Sequence, residues 1–548
     1  MAHQSPESSA PPQPKTWLGA FAHPAFALVW TASMIALVGI AMYDTASGWL
    51  MTQLDLNPFA VSLVHAATNL PMFLFTLPAG AIADIVDPRR LILAVSGAIA
   101  ALTALFAALV SFDLATPHLL LLTTFLLSAA WVLNLPAWLS IVPVLVPKTD
   151  LLEAIAANGV AYNLSRTLGP ALGGIAIANF GMSAPFWAFA AANLAVVAAL
   201  LWVRTPIRGT AALPAERLMS AVRTGVRHAA NNRLLRATLA RTLAVYPFAA
   251  AYWGLLPLIA RRSAPGAENY GMLLSAISAG AIFASFGQRR LRDWIDLDWV
   301  VVLGTVGTAA ALGLFAWSSD FGVDLAACFC AGAASVVVLT SLYASAQNVL
   351  PDWVRGRGLA VFLTAVFGAT TVGSAAWGQI AGRVGLEQAL ALAAVGILVA
   401  IPLSWPWRLQ RGETVDLSPS MHWRRPQAAE AIADDRGPVF VKIEYRIDPK
   451  DRERFLRAMD ELGYERKRDG ALAWGVFEDM GEFGRFEEAY LIESWLGLMH
   501  LRERVTNEDR MLEDEISKML TGSPRIEFLV AVEREPLRRR WREAAMGA

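Results

Sequence analysis

The sequence predicts an all-α membrane protein of twelve transmembrane helices in two six-helix repeats, followed by a small soluble α+β domain. Three observations predict it. Of the 548 residues, 55% are hydrophobic and only 17% are charged, well to the apolar side of soluble domains. The apolar residues gather into runs of about 20 or more, the length that crosses a hydrocarbon core as helix. From Pro438 onward the composition turns charge-dense and the hydrophobic period changes from helical to alternating.

The runs are 26–51, 59–82, 90–112, 117–140, 156–180, 184–203, 238–260, 270–288, 299–318, 322–346, 359–383 and 386–406. Residues 1–24 are a polar, Pro/Ser-rich stretch without a signal-peptide cleavage site, read as a disordered tail. The chain carries 46 basic and 46 acidic residues, so orientation rests on where the cations sit. Arg89 and Arg90, Lys148, the stretch from Arg204 to Arg236, Arg289 to Arg292, Arg355 and Arg357, and Arg408 and Arg411 all fall in alternate loops. The positive-inside rule then places both termini in the cytoplasm.

Residues 25–203 and 238–411 are the two bundles, separated by a basic, amphipathic middle loop at 204–237. Ala79-Gly80-Ala81-Ile82 and Arg89-Arg90-Leu91 recur as Ala279-Gly280-Ala281-Ile282 and Arg289-Arg290-Leu291. Pro147, Ala156, Gly169, Ala171 and Gly174 recur as Pro351, Ala360, Gly373, Ala375 and Gly378. The two offsets are nearly equal and preserve membrane side, which is the mark of a parallel repeat.

A Pro/Asp/Arg-rich linker at 412–437 leads to a domain at 438–536 and a basic end at 537–548. Val439, Val441, Ile443, Tyr445 and Ile447 alternate with Phe440, Lys442, Glu444 and Arg446 as a strand. Asp448 and Pro449 open a helix. Two strands near 471–478 and 486–495, one helix over 498–520 and a last strand at 526–532 complete a βαββαβ order, which is ferredoxin-like. Helices cover one face of such a sheet, so the other invites a homodimer or an intramolecular docking.

Pro78-Ala79-Gly80-Ala81-Ile82-Ala83-Asp84, followed by Arg89 and Arg90, resembles the loop signature of the major facilitators. Asp87 stands where that pattern has glycine, and the second copy has Ala284 in place of Asp84. Gly169-Pro170-Ala171-Leu172-Gly173-Gly174 resembles the glycine-proline motif of major-facilitator antiporters, and as small residues these also pack helices closely. Arg466 through Trp474, Glu493-Ser494-Trp495 and Arg502 through Arg510 resemble the soluble domain of the transmembrane secretion effector, enterobactin-exporter-like branch; Trp49-Leu50-Met51-Thr52 also fits it. The resemblance implies a conformational latch of Gly80, Asp84, Arg89 and Arg90 against the start of span eleven at Arg357.

Charges inside spans are costly and mark function. Asp44 and Arg166 are the two deep ones, with Asn163 one turn from Arg166. They are candidates for proton coupling or substrate contact. His65, Tyr246, Tyr252, Trp253 and other polar or aromatic residues supply cavity edges. There is no phosphate-binding loop, nucleophile elbow or metal-ligand spacing, and the basic middle loop fits anionic lipid better than nucleic acid. The expectation is a secondary active exporter of the inner membrane, not an enzyme, without cofactor or metal. Protons would drive it, and its cargo would be a small amphiphile, siderophore or drug-like. The alternative is a membrane-tethered protein whose C-terminal domain binds or oxidises a small molecule.

Overall fold

A computed structural model describes residues 19–203, 218–409, 416–418, 420 and 436–532, apart from the side chains of 77, 80–85, 218–222, 224, 289, 502 and 503. The first bundle comprises α1 (Pro24–Leu54), α2 (Pro58–Ile85), α3 (Pro88–Ser111), α4 (Pro117–Leu145), α5 (Leu151–Phe180) and α6 (Ala184–Trp202). After the short α7 (Leu218–Asn231) come α8 (Arg233–Ser263), α9 (Ala267–Trp294), α10 (Leu297–Trp317), α11 (Phe321–Asn348), α12 (Arg355–Val384) and α13 (Leu386–Ser404). Among the described residues, 11 of these helices are long and apolar enough to cross a membrane. The long helix outside that set is α5, which carries Glu153, Asn158, Asn163 and Arg166.

Local chemistry sets the ends. Proline opens α1, α2, α3 and α4, where its missing N–H costs nothing. Asp87 and Thr116 cap α3 and α4 by accepting from Arg90 N and Leu119 N.

The two bundles pack alike. In the first bundle α1 packs on α5 and α6, α3 on α4 and α6, and α2 on α4. In the second, α8 packs on α12 and α13, α10 on α11 and α13, and α9 on α11. Each first-bundle pair thus has its counterpart. The bundles join mainly through α2 against α12 and α5 against α9, themselves equivalent pairs. We call the end where α1 begins the domain-side face and the opposite end the far face.

Three sequence boundaries move. Gly19–Ala22, inside the stretch expected to be a tail, form a 3-10 turn with Ala20 buried. The middle loop contains α7, and α8 starts at Arg233 rather than 238, which sets Arg241 further inside the helix. There it is 2% exposed and donates to Asp298 Oδ1 at 2.9 Å and to Trp407 O at 3.0 Å, fastening the end of α13 to α8 and α10.

The C-terminal domain has strands β1 (Val439–Arg446), β2 (Ala471–Glu478), β3 (Arg485–Ile492) and β4 (Arg525–Val530). They form an antiparallel sheet in the order β2-β3-β1-β4. Helix α14 (Arg452–Asp469) follows a 3-10 turn at Pro449–Asp451 that Asp448 caps. The single helix expected over 498–520 is instead α15 (Trp495–Arg504) and α16 (Asn507–Ser517). A capping box of Thr506 and Asp509 ends one and starts the next, which the apolar period alone does not show.

At the centre of the domain, Glu488 is fully buried and accepts from Tyr445 at 2.7 Å, Trp474 at 2.9 Å and Arg466 at 3.1 Å. Beside it Arg468 pairs with Asp469 and, at 2.8 Å, with Asp509. Burial, and then the like charges of Asp509 and Asp469, push the Glu465 carboxyl up from 4.5 to about 9.

Two outcomes follow from these charges. Asp298→Ala leaves Arg241 buried without its anion and lowers the stability of the purified protein by about 3–5 kcal/mol, read as a fall in its thermal midpoint; the half-exposed Arg408→Ala has a smaller effect. Glu465 keeps its proton in the folded domain to a higher pH than in the unfolded chain. Its contribution is therefore complete below pH 4.5 and is lost as pH rises to about 9. Glu465→Gln flattens that fall when unfolding of the domain is followed against pH.

Candidate functional site

The site is an opening between the two bundles, and close helix contacts at the far face define it. A Cβ added to Gly173 of α5 would lie 3.0 Å from Met42 Cα of α1, and one added to Gly174 would lie 2.5 Å from Ala267 O and 2.8 Å from Glu268 Cα of α9. Gly169 meets Ala41 and Val38 of α1, and Gly271 of α9 returns the contact to Pro170. The motif expected to pack helices therefore does so on two sides, to α1 in its own bundle and to α9 in the other. At the same level Trp49 stacks on Tyr270 at 6.0 Å, and Arg261 of α8 donates to the carbonyl of Thr52 at the end of α1.

Towards the domain-side face this contact ends. Gly159, Asn163, Arg166 and Pro170 follow one another at helical spacing along a single face of α5. Pro170 is covered by α9, whereas nothing lies within 4 Å of a Cβ added to Gly159, and Asn163 and Arg166 are exposed. On the α9 side, Phe283 and Phe286 are exposed and Gly287 meets nothing within 4 Å. On this seam α5 and α9 are thus joined towards the far end and part below Pro170, whereas α2 and α12 stay in contact lower down, where a Cβ added to Gly368 would meet Phe73 at 2.7 Å.

Arg166 faces this opening, as its charge requires. Its guanidinium donates to Tyr162 Oη at 3.1 Å, lies 5.7 Å from that ring's centroid, and feels Asp44 and, across the gap, Tyr252. Asn163 uses its amide on Gly159 O, at 2.9 Å. Asp44 is exposed to the opening from α1, while its neighbour Tyr43 is buried against Thr124 at 2.9 Å. Because Gly169 lies beside Ala41 and α1 runs parallel to α5, Asp44 stands about 9 Å further towards the far face than Arg166. The two charges act on each other, yet no ion pair within 4.0 Å joins them among the described residues. The two charges expected inside the spans are thus both exposed, within electrostatic reach of each other and at two depths.

The latch residues are less complete. The side chains of Gly80 and Asp84 lie outside the described residues. Arg89 donates to Leu200 O at 2.8 Å and so caps the end of α6, and Arg90 offers its backbone N–H to Asp87 at 2.9 Å. Arg357 lies beside Gly225 of α7, where an added Cβ would come within 3.2 Å of its own.

Sequence reasoning missed Asp324. It is fully buried in the first turn of α11 with neither carboxylate oxygen hydrogen-bonded, facing Arg262 and Ser263 of α8. A lone acid opening an apolar run was the available signal. Among the described residues no group of three or more His, Cys, Asp or Glu is placed to hold a metal.

The chain matches the transmembrane secretion effector family over residues 15–536. It is a major facilitator of that family. Enterobactin exporter EntS of Salmonella choleraesuis (strain SC-B67) is 26% identical to this major facilitator over 345 residues, 61% of this chain and 80% of that protein. Enterobactin exporter EntS of Escherichia coli O6:K15:H31 (strain 536 / UPEC) is 24% identical over 342 residues, again 61% and 80%. Among solved structures, the nucleoside transporter NupG superposes with a TM-score of 0.57 at 12% identity, over 70% of this chain and 98% of that one. A bacterial homologue of the human lysosomal transporter Spinster, inward-facing and occupied, gives 0.54 at 13%, over 72% and 97%. These proteins are transporters rather than enzymes, and this major facilitator is a membrane transporter with them.

Gly174→Ala sets a methyl against the α9 backbone and lowers the thermal midpoint by the equivalent of about 1–3 kcal/mol. Gly97→Ala, with nothing within 4 Å of the new methyl, leaves the midpoint unchanged or raises it.

Proposed function

We propose that this major facilitator is a proton-coupled exporter of small amphiphilic molecules, siderophore or drug-like, working by alternating access in the inner membrane. In this reading α5 is counted with the 11 apolar helices as a twelfth span, the domain-side face is cytoplasmic, and both termini lie there. The observation that carries the reading is the placement of Asp44 and Arg166, at different depths, in an opening that the far-face contacts of α5 and α9 close from one side. Arg166 with Tyr162 and Asn163 offers donors and an aromatic face to cargo entering from the cytoplasm. Asp44, deeper and facing the same space, is the group whose proton is exchanged. The relatives named as enterobactin exporters favour outward movement and a siderophore-class cargo.

Gly80, Asp84, Arg89, Arg90 and Arg357 form the cytoplasmic latch in this reading. It would close when the bundles rock, with the Asp84 carboxylate favoured by the positive end of α12. The C-terminal domain is ferredoxin-like, and the uncovered face of its sheet receives a second copy of the chain.

A second reading keeps the chemistry in the C-terminal domain. It draws on an apolar groove of about 670 Å³ across that uncovered face, lined by Phe440, Trp474, Phe477, Leu491, Leu529 and Val532. Binding of an amphiphilic dye to the full chain that Phe440→Asp abolishes, without loss of transport, would favour it.

The exporter reading is tested in proteoliposomes loaded with a fluorescent amphiphilic dye. An imposed pH gradient accelerates dye movement by about tenfold or more, equivalent to about 1.4 kcal/mol. Asp44→Asn retains downhill movement and loses the response to the gradient. A wild-type protein indifferent to the gradient contradicts proton coupling.

A further inference from the structure

His65 sits in α2 where the two bundles meet. Its Nδ1 is 2.8 Å from Ser374 Oγ of α12, in the other bundle. Its Nε2 is 3.3 Å from Asn69 Nδ2. That same Asn69 nitrogen donates to the His65 carbonyl at 2.8 Å. A carbonyl only accepts, so the atom facing it is the amide nitrogen, and the nitrogen of the ring that it also meets must be an acceptor. Nε2 is therefore unprotonated, Nδ1 carries the hydrogen, and Nδ1–H donates to Ser374. The ring lies parallel to Trp253 of α8, 1° off plane with centroids 5.7 Å apart. Ser374 is fully buried and packs against Gly254, which would place a Cβ 3.4 Å from its own. Three helices and both bundles thus meet around one neutral imidazole.

We infer that His65 is a proton-sensitive joint: its neutral, Nδ1–H form ties α2 to α12 and α8 and holds the far face closed, and a second proton loosens that tie. The inference rests on the reading that the two bundles alternate. A proton added at Nε2 points one N–H at another, that of Asn69. Asn69 can turn its oxygen to the ring only by giving up its bond to the carbonyl. No charged partner offsets the new cation. The groups facing it are Asn69, Trp253 and Ser374; α4 contributes only His118 in its first turn, and no carboxylate acts on the ring among the described residues, Asp44 of α1 included. The face of Trp253 attracts a cation, but this offsets only part of the cost of a charge held at membrane depth. Protonated His65 is therefore better accommodated where α2 and α12 have separated and water reaches the ring. His65 and Ser374 act as positioning residues of the transport cycle, apart from the cavity charges.

The test uses the full chain in lipid nanodiscs, with Cys328 and Cys330 replaced by Ser and spin labels at Leu56→Cys and Ser319→Cys, in far-face loops of opposite bundles. As pH is lowered from about 8 to about 5, across the ordinary histidine range, the ratio of long to short inter-label distances rises by about tenfold, the weight of one buried group left unsatisfied. His65→Gln removes the pH response. Ser374→Ala lengthens the distances at high pH and shrinks the response, which keeps the inference open to refutation if His65→Gln does not fold. A response unchanged in either folded variant, or absent from the wild type, overturns the joint. Failure of the exporter reading looks different: far-face opening that depends on His65, with no dye movement under any pH gradient, would overturn export and leave the joint standing.

Discussion

The contact on which the architecture depends is the backbone-to-backbone approach of α5 and α9 at Gly174, Ala267, Pro170 and Gly271. A side chain larger than hydrogen at Gly174 or Gly271 would hold the helices apart. Its repeat-related counterpart joins α12 to α2, where Gly378 lies against Ser62. In lipid there is no hydrophobic force to draw two apolar bundles together, so close packing of small residues has to supply the attraction. On the α5–α9 pair these contacts sit towards the far face, and they fix which end of that seam is closed. The cavity charges are a consequence. Arg166 falls one turn below Pro170, on the face that α9 has left uncovered, and this is where a span can hold an arginine without lipid around it.

The C-terminal domain is tied to the second bundle through α7. α14 packs on α7, and α7 on α12. Arg504 stacks on Trp353, in the turn before α12, at 4.5 Å while donating to Asp469 O at 3.0 Å, and His228 of α7 meets the same indole edge-on at 5.6 Å. Burial, with the cations Arg468, Arg227 and Arg504, holds His228 down to about 3, so it packs there as a neutral ring. Asn232 adds a bond of 3.1 Å to Val349 O. The turn before α12 is thereby linked through Arg504 to the buried ion network around Arg468 and Asp469.

Much of this was legible in the sequence because the bilayer imposes simple rules. Apolar length marked the helices, and the matched Gly and Arg positions pointed to the duplication that the packing repeats pair by pair. The two deep charges, Asp44 and Arg166, stood out because membrane spans rarely carry any. What escaped depended on partners remote in sequence. Arg241 reads as one more cation near the start of a span until Asp298, 57 positions on, is seen beside it. Glu488 looks like one more surface acid in an alternating strand until Tyr445, Arg466 and Trp474 converge on it. Gly169 and Pro170 signal close packing but not which helix they pack against, and His65 carries no local mark of its bond across the bundles.

The central claim is that α5 and α9 part below Pro170 and leave Arg166 in an opening towards the domain-side face. It is tested most directly by Asn163→Cys in a chain with Cys328 and Cys330 replaced by Ser, embedded in vesicles of defined orientation. A membrane-impermeant maleimide should label that cysteine readily when added on the side that bears the C-terminal domain, and slowly from the other. Labelling only from the far side, or from neither, would contradict the account.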